Sequence, residues 1–447
     1  MSQAVKEQSI YADAFREFAA GRAGEPAWVA RLREGAFRSF EARGFPTTDE
    51  EDWKYTNVSP VAKGAFRPAA GGAVELEGAA VEPFVSEEAR RSRLVFVDGR
   101  FSPELSATDA LPPGVVAEDL GAALAGVRGE ELSRRLGGLF DEEGGGAGPG
   151  DSFAALNTAF LGGGALLVVP AGVAIEAPVQ ALFLNTAGGA ASFPRVLVVA
   201  GRDSRLDLIE THAARGDAEY FADAVVEVFV GEGARVTHYK VQDEGGRAFH
   251  VASTRAEVGR GGAYDLTTVT LGARLSRHEI TVALRSPGAE CRVDGLYIVG
   301  DGQHADTHSL IDHAEPNCVS RQNYKGILDG RARAVFNGRV VVREGACQTD
   351  AQQSNKNLLL SADARVDTKP QLEIFNDDVK CAHGATVGQL EEEELFYLLS
   401  RGLHPDLARN LLTYGFAEEI VAKLRFESIR AQLDGAILNR LQARLEA

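Results

Sequence analysis

Residues 151–389 are a succession of short apolar runs separated by glycine, aspartate and proline. The runs at 165–169, 196–200, 224–230 and 266–271 have the length of strands, and the residues between them are typical of turns. An ordinary β-sandwich uses roughly 100 residues, so this stretch is too long for one such unit. The pattern therefore predicts a large, almost purely β region that occupies the middle of the chain.

A loose repeat recurs in this region: small turn residues precede an alanine, and an apolar residue follows one or two positions later. Its copies are GEGARV at 231, GRGGAY at 259, SPGAEC at 286, DGRARA at 329 and SADARV at 361, with softer apolar residues, tyrosine and cysteine, in the second and third. The spacing varies from about 25 to 45 residues, which suits stacked coils with crowded corners and insertions that extend outward. The repeat favours a right-handed parallel β-helix, and a β-sandwich is the alternative.

The β region is flanked by segments with helical periodicity. Trp28, Leu32 and Phe37 follow a 3.6-residue period on the N-terminal side, and an apolar stripe follows Pro405 on the C-terminal side. We therefore divide the chain into a helical or mixed N-terminal region, a β-helix core and a C-terminal helical domain, with bounds 1–150, 151–389 and 390–447. The glycine-rich residues 142–151 predict a linker.

Two details of the C-terminal domain are also expected from the sequence. The helix that Pro405 opens should end at Gly415, where a longer helical stretch begins. The domain as a whole should cap the last coil, because an uncovered strand edge pairs readily with other chains.

Net charge, hydropathy and cysteine spacing together restrict the partners and the location expected for the chain. Its formal net charge is −17, which disfavours contact with nucleic acid and with anionic membranes. No run reaches the ~18 apolar residues of a transmembrane helix, and the N-terminus lacks the pattern of a secretory signal. The four cysteines are widely spaced, so free thiols and a cytoplasmic location are expected.

Several common catalytic motifs do not occur in the sequence. There is no GxxxxGK[ST] phosphate loop, so the chain is not expected to bind ATP in that manner. There is also no GxSxG nucleophile motif and no HExxH zinc motif.

The first candidate for chemistry is the run His304–x–Asp306–x–His308. On a strand, alternate residues share one face, so these three side chains could bind zinc or iron. A metalloenzyme that uses His304 and His308 is therefore one competing function. The simpler interpretation is the polar outer face of a coil near a turn.

The second candidate is the pair Cys381 and His383, which are separated by one residue and would lie on one strand face. Thiolate and imidazole are both iron ligands, and Lys380 beside them would lower the pKa of the thiol. Iron–sulfur clusters usually need four ligands, so these two would form half a site that another chain completes. The simpler interpretation is a packed cysteine and a hydrogen-bonded histidine.

Longer motifs give a specific resemblance. The sequence has TDAQQSNKNLLLS from 349, KPQLEI from 369, NDDVKCAHGATVGQL from 376 and ELFYLLSRG from 394, with EEDWKYT, FVDGRFSPELS and FAALNTAF earlier in the chain. In this order the motifs resemble the SufB/SufD family of iron–sulfur cluster assembly scaffolds, over almost the whole chain. Residues 361–368, SADARVDT, have alanine where SufB typically has cysteine, and CAHGAT at 381 differs from the HEAT-like stretch of SufB, so the resemblance is to SufD.

This resemblance implies a non-enzymatic scaffold with a β-helix between two helical parts. It implies pairing with SufB, and binding of the ATPase SufC through C-terminal helices around Phe396, Tyr397, Leu399 and Leu412. It also implies that His383, as the metal ligand, and Cys381 contribute to a transient iron or cluster site at the SufB interface. No stably bound cofactor is expected in the isolated chain, which could form a homodimer, and ATP would bind only to the partner ATPase.

A β-helix enzyme that acts on polysaccharide is the other competing function, because such folds often cleave sugars. Those enzymes are usually secreted, and they bind sugar in a groove lined with acidic or aromatic residues. This chain has no secretory signal pattern, only 7% aromatic residues and no convincing pair of catalytic carboxylates.

Overall fold

The fold is a parallel β-solenoid with helices at both ends of the chain. It is seen in a computed structural model that describes residues 3–22, 24–64, 66–68, 76–126, 128–140 and 151–446, with side chains described between 10 and 439. The predicted linker falls almost entirely at 141–150, outside the described residues. From β5 onward, neighbouring strands within each sheet are parallel, which excludes the β-sandwich alternative and confirms the predicted parallel β-helix core.

The strands are, in chain order, β1 Arg67–Pro68, β2 Arg93–Val97, β3 Arg100–Phe101, β4 Val116–Asp119, β5 Ala165–Val169, β6 Val179–Asn185, β7 Ala190–Ser192, β8 Arg195–Ala200, β9 Arg205–Ala214, β10 Phe221–Val230, β11 Arg235–Asp243, β12 Phe249–Val258, β13 Ala263–Thr270, β14 Leu275–Leu284, β15 Glu290–Val299, β16 His304–His313, β17 Val319–Leu328, β18 Arg333–Val342, β19 Thr349–Leu359, β20 Arg365–Ile374 and β21 Val379–Gly388. The α-helices are α1 Gln3–Ala20, α2 Ala27–Arg43, α3 Ser59–Lys63, α4 Leu120–Ala125, α5 Gly129–Leu132, α6 Ser152–Ala159, α7 Glu392–Ser400, α8 Pro405–Val421 and α9 Glu427–Glu446.

Two sheets run along the solenoid. Sheet A orders its main strands β20-β18-β16-β14-β12-β10-β8-β5-β4, and sheet B orders them β21-β19-β17-β15-β13-β11-β9-β6-β2-β3. Each coil contributes one strand to each sheet, so the described part of the chain makes eight coils, from β5–β6 to β20–β21. The register is regular: Phe221 pairs with Phe249, which pairs in turn with Leu275.

The small-residue corners of the sequence repeat lie where the chain passes between the sheets. One buried row of small residues precedes successive strands of sheet B: Ser204, Ala234, Gly262, Ala289 and Cys318. A Cβ on Gly262 would come within 2.9 Å of the Gly231 carbonyl oxygen, so this corner is too crowded for a larger residue. The last two copies of the repeat precede β18 and β20 of sheet A instead, which explains the irregular spacing.

The interior of the solenoid is apolar on one side and polar on the other. Val230, Val258 and Leu284 belong to the apolar core. On the polar side, Glu210 is fully buried and accepts a 2.6 Å hydrogen bond from Lys240. The imidazoles of His212 and His238 also contact this carboxylate. Burial alone would raise the pKa of Glu210, but these three partners hold it well below its usual value.

The N-terminal region packs on the outer face of sheet A. Helices α1, α2 and α6 supply an aromatic cluster that contacts Phe221, Phe249 and Leu275. Four strands from this region also join the two sheets: β1 lies parallel to β7, β2 lies parallel to β6, β3 lies antiparallel to β2, and β4 lies antiparallel to β5. The region before residue 150 therefore contributes to both sheets as well as forming helices.

The C-terminal helices pack along the outer face of sheet B. Leu424, Phe426 and Ile429 are buried against Ile209 and Tyr239, which project outward from β9 and β11. The expectation that these helices cap the last coil was wrong, because their apolar residues pack against sheet B along the side of the solenoid. Helix α8 also continues through Gly415 to Val421, since a single glycine is tolerated within a helix.

The last coil is consequently left open. Strands β20 and β21, which we call the open end, have no buried residue, whereas β19 beneath β21 has buried and partly exposed residues in alternation. Each sheet therefore finishes with a strand that lacks a neighbour on one side within the described chain. None of the described helices is long and apolar enough to cross a membrane.

Candidate functional site

Cys381 and His383 lie on β21, the final strand of sheet B. Cys381 pairs with Ala351 and His383 pairs with Gln353 of β19, so both residues sit one coil above a buried layer. Cys381 is partly buried against the interior core, whereas His383 is exposed. Because alternate residues of a strand share a face, both lie on one face of β21, as the sequence predicted, and the contact of Cys381 with the core shows that this is the interior face.

The environment of the thiol differs from the sequence-based expectation. Burial raises the pKa of Cys381 above its ordinary value, and Asp350 acts in the same direction. The expectation that Lys380 lowers this pKa was wrong. Adjacent strand residues point to opposite faces, so the Lys380 side chain lies on the other face of β21 from the thiol. Nothing in this environment therefore activates the Cys381 thiol towards its thiolate form in the isolated chain.

Three side chains, those of Ser309, Gln322 and Gln353, form a hydrogen-bonded row that ends one coil below His383. Gln322 donates to Ser309 Oγ at 2.8 Å, and Gln353 donates from Nε2 to Gln322 Oε1 at 2.7 Å. Gln353 is only 4% exposed, yet its Oε1 has no hydrogen-bond partner. This buried acceptor in register with His383 was not identified from the sequence, where its only signal is its place in TDAQQSN.

A groove of about 590 Å³ lies beside β21 at the border with the C-terminal domain. Lys423, which follows α8, forms a 2.9 Å ion pair with the buried Asp294 of β15, and Arg321 of β17 forms a 2.7 Å ion pair with Asp350. The groove also reaches His383. Lys423, just after α8, and the last strand of sheet B therefore line the same groove.

The C-terminal domain exposes apolar side chains away from the solenoid. Phe396 is 72% exposed and Tyr397 is 57% exposed, and α7 has no buried residue. Leu399 and Leu412 are half-buried, so the four residues predicted from the sequence comprise two strongly exposed and two half-buried side chains. Leu407 and Leu411 of α8 are also exposed, and their spacing of four residues was the signal for them. We call the four exposed residues on α7 and α8 the helical docking surface.

His304, Asp306 and His308 share the outer face of β16, as expected, but they are engaged with other parts of the protein. Thr56 lies 2.9 Å from His304 Nε2 and donates to Asp306, which also forms an ion pair with Arg277. Burial alone would raise the pKa of Asp306, but Arg277 and His308 lower it strongly. Within the described ranges, no three His, Cys, Asp or Glu side chains are placed to hold a metal ion. The polar outer-face interpretation fits this arrangement better than the metal-site alternative.

Comparisons with known proteins agree with this architecture. Residues 183–416 match the family model described as SUF system FeS cluster assembly, SufBD core domain, and residues 5–181 match the SufBD protein N-terminal region. The SufBD family protein slr0076 of Synechocystis is 36% identical over 96% of this chain and 93% of its own length. The SufD of Escherichia coli is 31% identical over 89% of this chain and 90% of its own length, and the SufD of Bacillus subtilis is 27% identical over 94% and 95%. The chain therefore belongs to the SufBD family of iron–sulfur cluster assembly proteins.

Proposed function

We propose that this chain is a non-enzymatic, SufD-type scaffold subunit that pairs with a SufB-type chain through its open end. The observation that carries this proposal is the position of Cys381 and His383 on a strand that has a free edge. A free strand edge exposes unpaired backbone donors and acceptors, and a partner strand satisfies them by continuing the sheet. A SufB-type chain with the same two-sheet cross-section could continue both sheets at once.

The proposed role of His383 is to supply one ligand to iron, or to a nascent cluster, at the joint between the two chains. The iron or cluster is the cargo of the assembly and not a resident cofactor. A neutral imidazole is a good iron ligand, and its second nitrogen can be oriented by a hydrogen-bond acceptor. Cys381 is the weaker candidate because its side chain packs partly buried against the interior core, so the remaining ligands would come from the partner.

The helical docking surface would recruit the ATPase SufC. Exposed aromatic and aliphatic side chains on adjacent helices are typical of the centre of a protein interface. ATP would bind to that partner alone, because this sequence has no phosphate loop. The four free thiols are consistent with a cytoplasmic location for the complex.

The test is the co-purified complex of this chain with its SufB and SufC partners. Ile374→Asp with Val387→Asp places charges on two exposed apolar side chains of the open end and should abolish pairing with SufB. His383→Ala should leave the complex assembled but lower its iron and sulfide content several-fold. Lys380→Ala, on the opposite face of the same strand, is the matched control and should retain the wild-type content. Wild-type cluster content in the His383→Ala complex would contradict the role proposed for His383.

A further inference from the structure

The free edges of the two final strands differ at one residue, Pro370 in the middle of β20. The amides of Arg365, at the start of β20, and Phe375, just after its end, donate to carbonyl oxygens on the β18 side at 3.0 and 2.9 Å. Alternate residues of a strand direct their backbone groups to opposite sides, so the odd-numbered residues face β18 and the even-numbered ones face the free edge. Pro370, which is in register with Gly338 of β18, therefore lies at the free edge of β20.

This proline interrupts the edge of sheet A. It has no backbone N–H, so the free edge of β20 lacks one donor at its middle. A partner strand added there would contain a carbonyl oxygen without its ladder hydrogen bond. Proline on an edge strand is one of the features by which proteins prevent such additions. Sheet A can still meet a partner, but the ladder between them would be interrupted at Pro370.

The free edge of β21 has no such interruption. On the β19 side, the amide of Gln348 donates to the carbonyl oxygen of Asp378 at 2.6 Å, so the even-numbered residues of β21 face β19. The odd-numbered residues from 379 to 387 face the free edge, and none of them is proline. This edge includes Cys381 and His383, and it presents every backbone donor and acceptor that a partner strand needs.

Mid-strand glycines elsewhere in the solenoid make room for a neighbouring side chain. Gly295 and Gly326 are each in register with a tyrosine of the neighbouring coil, Tyr324 and Tyr297 respectively. A Cβ on either glycine would lie 2.1 Å from an atom of that tyrosine ring. The glycine and the large side chain beside it therefore fit together as a pair.

Gly384, in the middle of β21, has no such neighbour within the described part of the chain. A Cβ at this position would meet no described atom within 4 Å, and its φ lies outside the left-handed region that favours glycine. A glycine weakens the interior of a strand, and it often marks a place where another backbone or a large side chain approaches closely. The space over Gly384 is therefore available to a residue of a strand added to β21.

We propose that a strand of the SufB-type partner pairs with the complete free edge of β21 and places a large side chain over Gly384. The inference rests on the proposed function, which assumes that the partner joins the open end. It identifies β21 as the strand that supplies most of the backbone hydrogen bonds of the joint, because the ladder at β20 is interrupted. The partner strand would then run directly beside His383.

Amide hydrogen exchange of the full-length chain, free and in complex with its SufB-type partner, tests the choice of strand. Pairing should slow exchange in peptides that cover β21 by about 10-fold or more, because the amides at its free edge acquire acceptors. Peptides that cover β20 should be slowed less. Equal or greater protection of β20 would contradict the assignment.

Gly384→Val tests the space over the glycine. Valine favours a strand, and its Cβ meets no described atom, so thermal unfolding of the isolated variant should occur at or above the wild-type temperature. Partner binding should weaken by about 10-fold or more, because the side chain of the partner strand loses its space. Gly35→Val, the same change at a glycine of α2 with equally open surroundings, is the control and should bind as wild type.

The outcomes separate this inference from the proposed function. If the Ile374→Asp, Val387→Asp variant loses the partner, but β20 is protected as strongly as β21 or Gly384→Val binds within twofold of wild type, the inference is overturned and the open-end interface stands. If the Ile374→Asp, Val387→Asp variant binds normally, the proposed interface itself is wrong. Stronger protection of β21 together with weakened binding of Gly384→Val would support the inference.

Discussion

Gln353 lies one coil below His383, in direct register with it, and the Gln353 side-chain oxygen is buried without a hydrogen-bond partner. The amide nitrogen of Gln353 is held by Gln322, so the orientation that leaves this oxygen free is fixed by the row beneath. An imidazole that binds a metal through one nitrogen usually donates its other N–H to such an acceptor. We therefore expect Gln353 to accept this hydrogen bond from His383 when the imidazole binds a metal.

The first prediction follows from this pair. Gln353→Leu should lower the iron and sulfide content of the co-purified complex, though by less than His383→Ala, because the ligand remains but loses its orienting acceptor. Gln353→Glu keeps an acceptor at the same position and should retain more cluster than Gln353→Leu. The measurement is iron and acid-labile sulfide per complex, with urea unfolding as a check on stability. Equal content in the leucine and glutamate variants would argue against an orienting role.

A second prediction concerns the reactivity of Cys381. Because burial raises the pKa of its thiol, alkylation of the isolated chain by iodoacetamide should be slow at pH 7 and should accelerate well into the alkaline range. Peptide mass spectrometry after timed alkylation at several pH values measures this rate for Cys381 itself. Fast labelling at pH 7 would indicate a thiolate and would restore Cys381 as a ligand equal to His383.

A third prediction addresses the helical docking surface. Phe396→Ser removes the most exposed large side chain of α7 and should weaken ATPase binding by about 10-fold or more, as expected for an aromatic anchor. Leu438→Ser, at another exposed apolar residue, on α9, is the control and should bind as wild type. Pull-down titrations with the purified ATPase distinguish the two variants. An equal loss in both would show that ATPase binding does not depend on the α7 site in particular.

A fourth prediction is that acid destabilises the solenoid through its buried polar side. Burial, with Lys240 nearby, lowers the pKa of His212 to about 4, well below its value in an unfolded chain. The unfolded state then binds more protons than the folded state between about pH 6.5 and 4, so stability is full above this window and is lost as the pH falls through it. The loss attributable to His212 is on the order of 3 kcal/mol.

Urea unfolding of the wild type and of His212→Leu at pH 7.5 and pH 5 measures this effect. The variant should show a smaller loss of stability between the two pH values. The pKa of Glu244 is also lowered, to about 2, because the charge of His250 and other partners outweigh its burial, so a further loss is expected below pH 4.5 in both proteins. An equal pH dependence in wild type and variant down to pH 5 would exclude His212 as the group responsible.

Much of this architecture could be predicted from the sequence because the β-helix imposes local rules. The crowded corners demand small residues such as Ala234 and Ala289, and the alternation of a strand places Cys381 and His383 on one face without further information. What the sequence did not reveal was the destination of the C-terminal helices. The apolar stripe of a helix shows that one face is covered, but it does not identify the surface that covers it.

A signal for that surface was nevertheless present in the strands. Leu208 and Ile209 of β9 are adjacent and both buried, so this strand is apolar on both of its faces. A sheet with two apolar faces is normally covered on both sides, and the covering element had to come from elsewhere in the chain. The environment of Cys381 was harder to predict, because Lys380 is adjacent in sequence but lies on the opposite face.

The two ends of the solenoid are not equivalent. At the start, sheet A finishes in the antiparallel strand β4 and sheet B in the two-residue antiparallel strand β3, neither of which continues the parallel ladder. At the other end of the described main strand order, β20 and β21 are long parallel strands that could extend the ladder. Two such molecules that meet through these strands use up both extensible edges, so assembly stops at a pair instead of propagating into a fibre. Because the coils could be extended from one end of the solenoid, this fold limits the number of molecules that can join edge to edge to two.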